Sequence, residues 1–279
     1  MILIFQIPKQ SHKFLLQGIV LFIALLLSLA TQAQTIKIGG TGNALGTMKL
    51  IASAYNKSYD TNKVQVLPSI GSSGAIKAIP KGAIEIGLSA RPLKETELGK
   101  GMIAIEYART PTIIAVSNAS NIDGITTKQL VDIYTGTTLN WEDGSLVRPI
   151  IRQAGDDNTV QLKALSPALK QAVELAEERE GLLFASTDQE TVNKIENTPG
   201  SFGVTSLALL LSENRTLKAL TLDGVTPSPE TIDSGLYPLV KRFYLILPET
   251  LSPNVQHVVD FIRSEKGAAI LIQNGNLVL

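Results

Sequence analysis

Gly71, Ser72, Ser73 and Gly74 stand directly ahead of an apolar helical pattern in the stretch PSIGSSGAIKAI, from Pro68 to Ile79. Small hydroxyls and bare backbone at a helix start are suited to one kind of chemistry. The first N–H groups of a helix lack intrahelical partners and sit at the positive end of its dipole. Glycine lets that backbone come close to a ligand, and serine adds a hydroxyl donor. Such a junction is either a seat for an anion or an ordinary capped loop. Two more glycine-bearing strand-to-helix junctions occur, at Gly39 to Gly46 and at Gly155 to Thr159. Arg152 lies just before the last of these, where its planar fork would either hold two oxygens of one ligand or form a surface or interlobe salt bridge. Three such junctions around one small oxyanion would replace its hydration shell without a metal.

Other chemistries lack parts. The 279 residues include no cysteine and two histidines, His12 and His257. A thiolate metal site, a disulfide and a cysteine nucleophile are excluded, and a Ser-His triad is disfavoured. His257 falls in the amphipathic pattern NVQHVVDFIRS and reads as a helix-surface histidine. Asp156 and Asp157 are adjacent carboxylates, and helix capping accounts for them without catalysis. GTGNALG has the glycine spacing of a nucleotide loop but lacks a P-loop lysine. The expectation is a binding protein, not an enzyme, with no cofactor and no metal. Lys and Arg together number 25, as do Asp and Glu. No bulk charge therefore favours nucleic acid or an acidic membrane, and any anion preference must be local.

The elements that would position these residues follow from periodicity. TIKIGG reads as a strand, and NALGTMKLIASAYNK as a helix with Leu45, Met48, Ile51, Ala52 and Tyr55 on one face. KVQVLPSI is a strand, a helix begins at about Gly74, and Ala83 to Ala90 is a third strand. MIAIEYARTPTIIAVS holds two extended runs broken at Pro111. TTKQLVDIYTG is a helix capped by Thr126 or Thr127 and stopped at Gly136. VRPIIR is a strand, and the spacing of Asn158 and Gln161 predicts a helix from Thr159. ETVNKIENTPGSFGVTSL reads as helix, turn and strand. PSPETIDSG is a short helix, VKRFYLIL a strand, and the C-terminus a helical pair. Alternating strands and helices imply a parallel α/β sheet, and 279 residues suffice for two lobes. Open parallel sheets place ligands where their helices begin.

The N-terminus reads separately from the fold. Lys9, His12 and Lys13 precede an apolar run from Phe14 to Ala30, and TQAQ follows. This has the layout of a secretory signal peptide, 1–33, cleaved after Ala33. With no cysteine at its exit for lipid attachment, the expected product is a soluble periplasmic protein.

Six blocks of the chain resemble one family in order. They are GTGNALGTMKLIASAY, GSSGAIKAIPKGAIEIGLSARPLK, LVDIYTGTTLNW, NTPGSFGVTSLAL, PSPETIDSGLYPLVKRFYLIL and VVDFIRSEKGAAIL. They look like the successive blocks of the phosphate-binding proteins, the periplasmic substrate-binding components of ABC-type phosphate uptake systems. The resemblance implies a type II periplasmic binding protein fold. Each lobe would be a mostly parallel sheet flanked by helices, with the ligand cleft between lobes. Lobe one would be 34–117 plus 239–279, and lobe two 118–238. The lobes would close on phosphate or a similar oxyanion by hinge motion, and the protein, a monomer, would hand it to an inner-membrane ABC permease. Carried over by motif, the backbone amides of Asn43, Ala44 and Leu45 would bind the ligand. Ser72, Gly74, Arg152 and Thr159 would join them.

The sequence departs from that pattern at three points. Ala44 stands where phosphate binders often carry a ligating threonine, and Ala90 where some carry an aspartate that accepts the phosphate's own proton. GDDNT, residues 155–159, replaces a shorter Gly-Ser-Gly-Thr run. A protonated phosphate donates a hydrogen bond and sulfate does not, so a buried acceptor selects between them. One expectation is that Asp156 or Asp157, beside Asn158, supplies the missing acceptor. The alternative is another oxyanion, or an organic phosphate or acid, bound in a sensing or scaffold role instead of in transport. Arg91 would then favour a more highly charged ligand, or else form a surface salt bridge.

Overall fold

The computed structural model describes residues 35–60 and 62–279. The expected signal peptide lies outside the described residues, among which no helix is long and apolar enough to cross a membrane. The chain opens with β1 (Thr35–Gly40), α1 (Gly42–Ser58), β2 (Lys63–Val66), α2 (Gly71–Ala78) and β3 (Ile86–Ser89). Then come β4 (Met102–Ser117), β5 (Gly124–Ile125), α3 (Thr127–Thr135), β6 (Arg148–Ile151), α4 (Asp157–Ala164) and α5 (Pro167–Glu178). β7 (Leu183–Phe184), α6 (Asp188–Asn197), β8 (Ser201–Ser206), α7 (Leu207–Ser212), β9 (Leu217–Ala219), β10 (Thr221–Leu222) and α8 (Pro229–Asp233) follow. The chain ends with β11 (Val240–Pro248), α9 (Pro253–Ile262), α10 (Glu265–Gln273) and β12 (Leu277–Val278).

The helix signals read from sequence hold where capping is local. Thr126 caps α3 and exchanges bonds with Gln129, and Gly136 ends the helix at φ +82°. Helix α2 begins at Gly71, not Gly74, because the GSSG run itself forms the first turn, with Gly71 at φ +69°. Helix α4 begins at Asp157 with Asp156 as its cap, not at Thr159. The side chain of Asn158 is drawn inward instead, where it donates to Asp188 and to the carbonyl of Val204.

Eight strands form one mixed path in the order β2-β1-β3-β11-β4-β8-β6-β7, with β9 and β12 pairing with β4 beside it and β5 and β10 forming a separate two-stranded sheet. β1 runs parallel to β2 and β3, and β6 parallel to β7 and β8. The sheet is not mostly parallel as expected, because β4 and β11 run antiparallel to their neighbours. Those two strands pass between the lobes. Pro111 does not break β4, a single strand of 16 residues. The strand changes partners there: Met102 to Pro111 pairs with β11, and Thr112 to Val116 pairs with β8. A proline's missing N–H is tolerated at such a discontinuity in the ladder.

Each lobe has its own apolar core. Ile36, Tyr55, Ile86, Phe243 and Ile262 anchor the first. Leu130, Tyr134, Leu169, Phe202 and Tyr237 anchor the second. Ile113 to Val116 pack into the clusters built around Phe202 and Leu130 and around Ile150 and Ile195. Helix α7, expected within lobe two, buries Ala208 in the first core against α1. Two glycines on one face of α1 let helices approach closely, Gly46 the α7 segment and Gly42 the start of α6. A Cβ on Gly46 would lie 2.2 Å from Ser212 Oγ, and one on Gly42 would lie 2.4 Å from Gln189 Oε1.

Candidate functional site

All three glycine-bearing junctions open on one cleft of about 720 Å³. Thr41 and Asn43 come from the start of α1, Ser69 to Ser73 from the start of α2, and Ala90 and Arg91 from the end of β3. Across from them stand Arg152, Gln153 and Gly155, with Asp156 to Asn158 at the start of α4. A fourth helix start, Ser186 to Asp188 ahead of α6, Lys241 from β11, Lys94 and Val160 complete the wall. The structure thus brings together Asn43, Ser72, Arg91, Arg152, Asp156, Asp157 and Asn158. It does not bring Ala44, Leu45, Gly74 or Thr159 to the wall. The side chains of Ala44 and Leu45 are buried in the first core. Gly74 packs against Ile70, and Thr159 faces inward among Ile150, Leu162 and Val204.

Arg152 is a buried cation of the cleft, with 7% of its surface exposed. Nη2 donates to Asp156 Oδ2 at 2.6 Å and lies 3.4 Å from Asp188 Oδ1, and Nη1 donates to Thr191 Oγ1 at 3.3 Å. Burial works against the guanidinium, but Asp188 and Asp156 outweigh it and hold its pKa above the ordinary value. Its Nε is buried and has no protein partner. A buried donor without a partner costs free energy, and a ligand oxygen would satisfy it.

Asp188 was not found from the sequence. It follows Thr187, the N-cap of α6, and so reads as an ordinary first-turn acid. Its carboxylate is instead buried on the cleft wall. Oδ2 accepts from the Asn43 amide at 3.2 Å, and Oδ1 accepts from Asn158 Nδ2 at 3.2 Å. Burial pushes its pKa up, with Arg152 opposing that shift. The expected amide cradle at α1 is therefore occupied within the protein: Asn43 N–H by Asp188, and Ala44 N–H by the carbonyl of Thr41 at 3.2 Å. Thr41, the N-cap of α1, offers no side-chain cap, which leaves that helix end to Asp188.

Ser72 Oγ accepts from the Ala90 amide at 2.9 Å, which leaves its own proton free to donate. Arg91 forms a two-pronged bond with Glu97 at 2.7 and 2.8 Å, and reaches Ser73 Oγ at 3.3 Å. Of the two roles expected for Arg91, the geometry gives the salt bridge. That hydrogen bonding from Arg91 holds the Glu97 carboxyl down at about 2.

The two adjacent aspartates are both engaged. Asp156 caps α4 through Oδ1 and binds Arg152 through Oδ2. Asp157 directs Oδ2 to Gln161 at 2.7 Å and to Lys241. Lys241 has no exposed surface and was also missed from sequence. The strand alternation in VKRFYLIL carried the signal, since it puts Lys241 on the buried face with Phe243 and Leu245. Among the described residues no group of three or more His, Cys, Asp or Glu is placed to hold a metal ion.

Comparison with known proteins places these observations. Residues 28–266 match a PBP superfamily domain. The phosphate-binding protein PstS of Bacillus subtilis is 26% identical over 199 residues, 70% of this chain and 64% of that protein. The phosphate-binding protein PstS 2 of Streptococcus agalactiae serotype V is 33% identical over 106 residues, 38% of this chain. That match spans 36% of the relative's own length. A putative phosphate ABC transporter substrate-binding protein from Clostridium perfringens, solved with bound phosphate, superposes with a TM-score of 0.74 at 22% identity. The match covers 88% of this chain and all of that one. An ABC-type phosphate transport receptor from Vibrio cholerae superposes at 0.61 with 18% identity, again over 88% of this chain and 100% of that one. At those identities the likeness is one of fold, a two-domain α/β architecture. With the domain match running through both lobes, the chain belongs to the PBP superfamily.

Proposed function

We propose that this protein is a periplasmic solute-binding protein that captures phosphate or a similar tetrahedral oxyanion by closure of its two lobes and delivers it to an ABC permease. One observation carries the reading: the starts of α1, α2 and α4 meet in one cleft beside Arg152, whose buried Nε has no protein partner. The names of the relatives add phosphate as the first ligand to try. Ser72 donates its hydroxyl, Arg152 its Nε, and closure replaces the hydration shell with these fixed donors. Asp157 takes the acceptor role absent at Ala90, since its Oδ1 lies outside the contacts to Lys241 and Gln161. Binding and closure are the whole mechanism, with no covalent step. The protein works as a soluble monomer after removal of residues 1–33.

Calorimetric titration of the purified protein with phosphate, sulfate, molybdate, tungstate and a simple phosphomonoester tests this. Tight phosphate binding with little response to sulfate supports it, and silence toward every oxyanion sinks it. Asp157→Asn should weaken phosphate binding and narrow the preference over sulfate. Unchanged affinity and selectivity would remove Asp157 from the site.

A second reading has its own observation. The cleft of about 720 Å³ exceeds one tetrahedral ion, holding over twenty waters at ~30 Å³ each. Three carboxylates, Asp156, Asp157 and Asp188, also share its wall. An organic phosphate, presented to a sensory partner and not to a permease, fits that space. The phosphomonoester arm of the same titration separates the two.

A further inference from the structure

Asn43 N–H and the Arg152 guanidinium are two donors that an oxyanion in this cleft would use, and both already face Asp188. The carboxylate crosses from α6 in lobe two to the first turn of α1 in lobe one, accepting from the Asn43 amide at 3.2 Å. Its other oxygen lies 3.4 Å from Arg152 Nη2. We propose that Asp188 is a built-in anion that competes with the ligand for these donors and ties the lobes together, so that it sets which anions can bind. The inference rests on the oxyanion reading above for its ligand, but not for the interlobe tie.

Four features make the arrangement a built one. Thr41 supplies no side-chain cap, so α1 has no other anion at its positive end. Gly42 leaves room for the carboxylate, since a Cβ there would lie 2.8 Å from Asp188 Oδ2. The next residue, Gln189, grips the same helix start, with Nε2 donating to the carbonyl of Gly42 at 2.9 Å. Asp188 also retains a separate donor in Asn158 Nδ2 at 3.2 Å, which would hold the side chain after it gives up Asn43.

One amide proton cannot serve two full acceptors. An entering anion must therefore outcompete a carboxylate already aligned with the helix and with Arg152. A doubly charged tetrahedral oxyanion gains more from these donors than a singly charged anion does. Asp188 thereby sets one threshold for all anions, which nitrate and simple carboxylates fail to reach and phosphate and sulfate exceed.

The test uses wild type, Asp188→Asn and Asp188→Ala, each shown to be folded by circular dichroism and a cooperative melt. Titration with phosphate, sulfate and nitrate should show tenfold or tighter binding in both variants, with a gain for the doubly charged anions at least as large as that for nitrate. Small-angle scattering without added anion should show a larger radius of gyration in both variants, most in Asp188→Ala. Unchanged or weaker binding of all three anions overturns the competition. Tighter binding with superimposable scattering profiles keeps the competition and overturns the tie. Expanded variants in a protein that binds none of the three anions keep the tie while the oxyanion reading fails.

Discussion

Lys241 Nζ meets Asp157 Oδ2, so a lysine with no exposed side-chain surface on β11 is neutralised by the first residue of α4. The pair spans the change of lobe. Breaking it from either end has unequal consequences. Asp157→Asn leaves Lys241 charged and buried, and removing one partner of a buried pair costs about 3–5 kcal/mol. Asp157 keeps 28% of its side chain exposed, so the lower end of that range applies. Lys241→Met fills the same space without a charge and leaves Asp157 its bond from Gln161. Urea denaturation should find Asp157→Asn the more damaging, with Lys241→Met within about 1 kcal/mol of wild type. Equal losses would mean that the pair does not bear on the fold in this way.

The face of α1 that carries Gly42 and Gly46 makes a second prediction. Alanine favours a helix over glycine by about 1 kcal/mol, so Gly46→Ala on an open face would stabilise. Here the new Cβ would lie 2.2 Å from Ser212 Oγ and 2.8 Å from Glu213 Cγ, so α7 must shift. Overpacking of this kind costs about 1–3 kcal/mol, which outweighs the helical gain. Gly46→Ala should lower the melting temperature, and Ser212→Gly in the same chain should recover part of the loss. A double-mutant cycle with no coupling between the two positions would reject the close approach as the cause.

Those glycines also mark how far the sequence could be read. The junctions at Gly71 and at Gly155 were legible because caps, turns and helix starts are written in neighbouring residues. GTGNALG was legible as a helix start, but the reason for its glycines was not, since Ser212 and Asp188 lie over 140 residues away in the chain. Asp188 escaped notice for the same reason: its partners Asn43 and Arg152 are assigned by lobe packing. Asn158 looked like a cap and became an interior donor to Asp188, so the start of α4 moved to Asp157. Local signals placed the loops, and tertiary contacts decided which of their atoms face the cleft. The change of strand partners at Pro111 was hidden because both halves of β4 share one extended apolar pattern.

Glu97 supplies a pH dependence of definite sign. Hydrogen bonding from Arg91 lowers its pKa from the ordinary 4.5 to about 2. A carboxyl whose folded pKa is depressed binds fewer protons in the native state, so its contribution is fully present above about 4.5. That contribution is lost as the pH falls from 4.5 toward 2. Asp188 runs the other way: its raised pKa means that stability falls as the pH rises through the interval above its ordinary value. The stability difference between wild type and Glu97→Gln should therefore be largest near neutrality and shrink to nothing near pH 2. Denaturant midpoints measured for both proteins across that range check it, and a difference that persists at pH 2 would assign the effect to packing.

Ser72 gives the most direct test of the cleft as a binding site, because it touches the wall without carrying charge. Its Oγ accepts from the Ala90 amide at 2.9 Å, and its proton is left for a ligand. Ser72→Ala removes both, and the orphaned Ala90 N–H costs about 1–3 kcal/mol of stability. Loss of one neutral donor to an ionised ligand weakens binding by about 1.5–3 kcal/mol, roughly tenfold to a hundredfold. Ser73→Ala serves as the contrast, since Ser73 Oγ lies beside the Arg91–Glu97 pair, accepting from Arg91 at 3.3 Å, and away from Arg152. Calorimetry with phosphate should rank wild type and Ser73→Ala together, with Ser72→Ala well below them. If Ser73→Ala loses as much affinity as Ser72→Ala, the ligand lies nearer Arg91 and Glu97 than Arg152. The seat would then belong to the rim of lobe one and not to the space between the lobes.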